Sequence, residues 1–181
     1  MSIFGSLERT RFFVGRLLTT GDLDREQAYF LARSRRHNRF LYGWGVVAGL
    51  EVSVSEANEV VVAPGLAIDC AGNEIAVEEC VRIPIGATEA ALYVAIRYRE
   101  TEVEPVPVAE GTEFSRIREG AEVVLLEVNP SAKHRGVGPG TPGCGQAHAL
   151  CLAKLKWHQS KWKLMQRLGA DLRGQTPLFC S

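Results

Sequence analysis

Cys144, His148 and Cys151 stand in a Cys-x3-His-x2-Cys spacing, with His134 ten residues upstream of the first cysteine. Thiolate and imidazole are the donors that tetrahedral zinc prefers, and a glycine-rich stretch such as 129–146 folds readily around an ion. Zinc is thus the one cofactor the sequence offers, with Cys144, His148 and Cys151 as its candidate ligands. The spacing departs from the Cys-x2-Cys pairs of structural zinc sites. Cys151 also lies in the strand-like run ALCLAKL, where it reads equally well as core. A Cys144–Cys151 disulfide is the alternative in an oxidising compartment.

A second constellation is Asp69-Cys70-Ala71-Gly72-Asn73, within APGLAIDCAGNEIAV. A cysteine nucleophile needs a base in hydrogen-bond reach, and no histidine lies nearby in sequence. Gly and Asn tolerate positive φ, and Asp bonds the backbone just ahead of it, so the stretch reads as a hairpin turn. No Gly-x-Ser-x-Gly or His-Glu-x-x-His occurs, and no catalytic residue is assigned. The run Gly43-Trp44-Gly45-Val46-Val47-Ala48-Gly49-Leu50 lacks the Lys-Ser/Thr ending of a phosphate loop and follows a helix instead of preceding one. Its glycines let the chain pass from helix to sheet, with Trp44 sealing the junction. Arg33, Arg35, Arg36, His37 and Arg39 crowd one segment. With Tyr42 nearby they could contact phosphates, but at zero net charge they read as a solvated helix face that pairs with the acidic stretch 100–122 or with another subunit.

These residues must be held by elements that the hydrophobic period reveals. Asp22 is placed to cap a helix over 22–42, in which Leu23, Gln27, Phe30, Leu31, Ser34, Asn38 and Leu41 recur at helical spacing. After Gly49 the period falls to two. Short strands follow around 50–54, 60–62, 66–68, 75–77, 81–85, 91–98 and 123–128, then a hairpin of 149–157 with 161–165 across His158-Gln159-Ser160. The proline-bearing acidic stretch 100–113 reads as loose. The fold class is therefore mainly β with an N-terminal α-helix, an antiparallel β-sandwich or barrel. The expected parts are an arm and helix over 1–49, a β-domain over 50–168 and a tail over 169–181.

Lysine plus arginine equals aspartate plus glutamate at 21 each, which leaves no net field to draw nucleic acid. No apolar run reaches the roughly 20 residues that cross a bilayer, so no membrane insertion is expected. The first residues lack the pattern of a secretory signal. Five cysteines without such a signal read as reduced thiols of a cytoplasmic protein.

Phe12-Phe13-x-Gly15-Arg16-Leu17-Leu18, then Arg35-x-His37-Asn38-Arg39, then Gly43-Trp44-Gly45-Val46-Val47-x-Gly49-Leu50, then Pro64-Gly65-x-Ala67-x-Asp69-x-x-Gly72-x-Glu74-Ile75 form a series. It resembles a family of small bacterial proteins, several of which accompany contractile injection systems, the phage-tail-like particles. The hairpin phrase is also similar to β-modules of phage tail fibres and baseplates. The resemblance implies a non-enzymatic structural or adaptor protein, cytoplasmic or carried in a released particle. Its partners would be other tail or baseplate proteins and further copies of itself, met through an interface including Phe12, Phe13, Arg36, His37, Arg39 and Trp44. The alternative from another class is a carbohydrate- or envelope-binding β-module, with Tyr98, Trp157 and Trp162 as stacking faces.

Overall fold

The computed structural model describes residues 6–86, 88, 90–134, 142–168 and 172 of the 181-residue chain. Part of the glycine-rich stretch (135–141), the tail 169–181 apart from Leu172, and Cys180 with it lie outside the described residues.

Helix α1 spans Thr20–His37, and its N-cap is Thr19 rather than Asp22. Thr19 Oγ1 accepts from the Asp22 N–H at 3.3 Å, and Asp22 Oδ2 accepts from the Thr19 N–H at 3.2 Å. Two end donors of the helix are thereby satisfied reciprocally, the arrangement of a capping box. Arg16 pairs with the same carboxylate. Hydrogen bonds from Thr19, then the Arg16 guanidinium, hold the Asp22 carboxyl below its usual range. The α-helix stops four residues before the helical period of the sequence does. Asn38–Tyr42 form a π-helical turn, closed by Gly43, whose N–H donates to the Asn38 carbonyl at 2.9 Å.

Among the described residues, ten strands follow: β1 (Gly45–Gly49), β2 (Val52–Val54), β3 (Glu59–Val62), β4 (Gly65–Ile68), β5 (Glu74–Val77), β6 (Val81–Pro84), β7 (Leu92–Val108), β8 (Gly111–Leu126), β9 (Leu150–His158) and β10 (Lys161–Arg167). They form three antiparallel sheets, ordered β1-β4-β5, β2-β3-β6 and β10-β9-β7-β8. The sheet begins at Gly45, five residues ahead of the expected boundary at 50. Val46, Val52, Val60, Val62, Ile75, Val94, Ile96, Leu155 and Trp162, drawn from all three sheets, share one core. The inward residues alternate along β3 and β5, as a half-buried strand requires. The hairpin of β9 with β10 turns through Gln159 (φ 50°) and Ser160 (φ 62°). Positive φ at both positions is the type I′ turn that suits the twist of paired strands.

The stretch 100–113 is not loose. β7 and β8 continue as a paired ribbon to Val108 and Gly111, well past β9, which leaves β7 at Ile96. Almost every residue between 99 and 119 is exposed. Such a ribbon has no buried face, so it lacks the period-2 signature that identifies a strand in sequence. Pro105 and Pro107 are tolerated because the far edge of β7 has no strand beside it there.

Candidate metal centre

The β4–β5 connection is the turn that its composition calls for. Asp69, fully buried, accepts from the Ala71 N–H at 2.8 Å, the Asn73 N–H at 2.9 Å and Asn73 Nδ2 at 2.8 Å. A buried carboxylate with three donors is satisfied and gives the turn one shape. Gly72 has φ 92°, and a Cβ there would run into the Arg35 carbonyl, so only glycine lets the hairpin tip meet the end of α1. The Asn38 side chain locks that contact, donating to the Gly72 carbonyl at 2.9 Å and to Glu74 Oε1 at 3.2 Å.

The same turn presents the Cys70 thiol to residues far along the chain. Cys70 Sγ lies 3.5 Å from His134 Nδ1. The rings of His134 and His148 stand 4.0 Å apart between centroids. The donor atoms of Cys70, His134, Cys144 and His148 all fall within 4.8 Å of one another. Trp44 walls the group, its ring edge-on to His134 at 5.5 Å. Gly143, at φ 67°, passes so close that a Cβ would sit 2.7 Å from Cys70 Sγ.

Burial dominates the electrostatics. It pushes the Cys70 thiol up to about 12, with Cys144 beside it the next influence. Burial, then His148, holds the His134 imidazole below its usual value. His148 Nδ1 lies 3.1 Å from the Ala149 carbonyl, while its Nε2 is buried with no hydrogen-bond partner. A carbonyl only accepts, so Nδ1 carries the proton and Nε2 the lone pair.

Cys70 and His134 are thus a cysteine–histidine pair that sequence proximity does not reveal. An activated nucleophile has a lowered thiol pKa, whereas burial raises that of Cys70. The clefts lined by Arg16 and Asp22, by Ser34 and Gly72, and by Tyr42 and Leu66 include none of the four residues. With Cys144 and His148, Cys70 and His134 form a group of two thiols and two imidazoles whose donor atoms lie close enough together to hold a metal ion.

The expected ligands divide. Cys144 and His148 belong to the cluster, but Cys151 does not. It is buried in β9, its thiol directed at the Ala153 carbonyl at 3.7 Å, and burial raises its pKa to about 11. The core role, not the ligand role, holds for Cys151. Its backbone N–H takes the Ser131 hydroxyl at 3.0 Å, which ties the 129–134 turn to β9. Among the expected interface residues, Phe12 and Phe13 are exposed at 52% and 63%. Trp44, only 3% exposed, is a junction seal and not a surface. Arg39 Nε donates to the Pro142 carbonyl at 3.3 Å, and His37 is exposed. Arg36 is half-buried, while its neighbour Arg35 reaches Glu100 at 3.3 Å, the expected pairing with the acidic stretch. Trp162 is buried against Trp157, so it offers no stacking face for a sugar.

No family model matches the chain, and no curated protein matches it. Solved structures do. The chain is similar to a chain of the TssK-TssF-TssG baseplate subcomplex of the type VI secretion system, with TM-score 0.53 and 14% identity over 90% of this chain. It is similar to TssK in a crystal structure, with TM-score 0.50 and 12% identity over 88%. It is similar also to a chain of the type VI secretion baseplate complex, with TM-score 0.51 and 13% identity over 89%. At such identities the likeness is one of fold. The chain spans 61%, 41% and 58% of the length of those three chains, respectively. No helix of the described residues is long and apolar enough to cross a membrane.

Proposed function

We propose that the chain is a non-enzymatic structural or adaptor component of a phage-tail-like contractile injection particle, of baseplate or tail-fibre type, acting through protein–protein contacts. The observation that carries this reading is the fold likeness, over 90% and 89% of the chain, to chains of type VI secretion baseplate complexes. Those proteins are solved as members of multi-protein assemblies, and the surface of this chain has the character of an assembling part.

Helix α1 buries only Asp22, and leaves Leu23 at 52%, Phe30 at 56% and Leu31 at 40% exposure. Helices in proteins draw most of their stability from tertiary packing of an apolar stripe, which α1 leaves largely uncovered. Phe12, Phe13, Leu17 and Leu18 are exposed just ahead of it. The β7–β8 ribbon adds Phe114 and Ile117, also exposed. Apolar groups gathered on projecting elements mark contact surfaces.

The test is co-purification. An epitope-tagged chain, expressed in its own host, is expected to sediment with particle proteins of tail or baseplate type, and its deletion is expected to stop particle assembly or target attachment. A chain that stays a strict monomer, with assembly and attachment unchanged on deletion, would overturn the reading.

A further inference from the structure

We propose that Cys70, His134, Cys144 and His148 bind one zinc ion in a closed, structural Cys2His2 site. The four come from three separate stretches: the β4–β5 turn, the turn ending at His134, and the segment between 142 and 149. Nothing in local sequence compels such groups to meet, yet their donor atoms lie within 4.8 Å of one another. A tetrahedral zinc with bonds of about 2.0–2.3 Å sets donors roughly 3.3–3.8 Å apart, so a small inward shift closes the site.

The second line of support is the His148 ring. A metal-binding histidine ordinarily donates its other ring N–H to a backbone carbonyl, which fixes the tautomer and aims the lone pair at the ion. His148 Nδ1 meets the Ala149 carbonyl at 3.1 Å, and the remaining nitrogen, Nε2, is buried without a partner. A buried nitrogen lone pair without a partner is costly, and a cation satisfies it. Gly143 points the same way. Its missing Cβ, which would press on Cys70 Sγ and on Trp44, is what lets the 142–149 segment approach the thiol.

The donor chemistry selects the ion. Two sulfurs and two imidazole nitrogens disfavour calcium and magnesium, which take oxygen, and suit tetrahedral zinc. Four protein ligands leave no open position, so the site holds structure instead of activating water. Binding replaces both thiol protons, which pass to solvent, with two Zn–S bonds. The staple would sit at the root of the helix. The Cys70 turn carries Gly72 against Arg35 and Asn38, and the 142–149 segment touches Arg39 through the Pro142 carbonyl and Gly145.

The full chain, purified under reducing conditions without a histidine tag, is expected to carry about one zinc per molecule. Replacing that zinc with cobalt should give the visible spectrum of a tetrahedral ion with thiolate charge transfer. Cys144→Ser, at an exposed position, should lower zinc content and affinity by ~10-fold or more, as loss of a ligand exceeds loss of an outer partner. Cys80→Ser and Cys151→Ala should leave it unchanged. Folded wild-type protein that carries no zinc, takes up none and shows no tetrahedral cobalt spectrum would overturn the site. So would zinc lost from Cys151→Ala but kept by Cys144→Ser, or a Cys70–Cys144 disulfide, seen as a two-hydrogen mass loss, in protein handled with reductant. The cobalt spectrum of the unmutated chain decides the matter even where a variant fails to fold.

Discussion

Cys70 Sγ and His134 Nδ1 lie 3.5 Å apart although 64 residues separate them. Trp44 stands edge-on to the half-buried His134, and Gly143 packs against the buried Cys70, so the pair joins separate segments of the chain. A catalytic cysteine would be expected to react quickly with an alkylating reagent at neutral pH. Here the expected order is exposed Cys80 first, with buried Cys70 and Cys151 protected in the native protein. For Cys151, raised to about 11 by burial, labelling should stay slow at pH 7 and quicken only as pH climbs toward that value. Mass spectrometry of tryptic peptides after timed alkylation reads the order. Rapid labelling of Cys70 at neutral pH would argue for an activated thiol.

The hairpin tip and the helix end should prove to be one unit. Gly72→Ala places a Cβ against the Arg35 backbone at a φ that L-residues avoid, and is expected to cost about 1–3 kcal/mol in denaturant unfolding. Gly120→Ala meets open space on β8 and is expected to change stability by less than about 0.5 kcal/mol. Equal costs at the two sites would remove the contact between turn and helix.

The capping box carries a pH dependence. The Asp22 carboxyl is held below its usual range in the folded chain, chiefly by Thr19. Its stabilising contribution is present in full above the unfolded carboxyl value, about 3.9, and is lost as pH falls through the lower, folded value. Far-UV circular dichroism is therefore expected to show the helix fraying in that acid window, and Asp22→Asn should flatten the dependence. Thr19→Ala should weaken the helix at every pH, by about 1 kcal/mol.

Core and ribbon should respond differently to truncation. Leu155 and Ile96, each fully buried, are expected to cost about 2–5 kcal/mol on mutation to alanine. Ile117→Ser on the exposed ribbon is expected to leave stability within about 0.5 kcal/mol while weakening association with partner proteins. Large destabilisation by Ile117→Ser would mean that the ribbon is not free.

The hydrophobic period made most of the body legible. β3 and β5 bury alternate residues and β9 a nearly continuous run, and the expected hairpin across His158-Gln159-Ser160 turns where Gln159 and Ser160 take positive φ. The ribbon was hidden because a strand exposed on both faces carries no alternation. The N-cap moved from Asp22 to Thr19 because both residues can cap, and only the reciprocal bond shows which one does. Half of the cysteine–histidine cluster, Cys144 and His148, was readable from its short spacing. Cys70 and His134 were not, since their approach depends on how the β4–β5 turn packs against His134 and the 142–149 segment. Cys151 drew attention by proximity in sequence alone, and β9 turns its thiol into the core.

The most direct test of the proposed role is mass spectrometry and imaging of injection particles purified from cells with the intact chain, and with Phe12→Ala/Phe13→Ala in its place. The expected result is a fixed number of copies in wild-type particles and loss of the chain from particles of the double variant, whose isolated protein stays folded. A chain absent from wild-type particles, or retained in full by the double variant, would contradict an assembling role carried by that exposed arm.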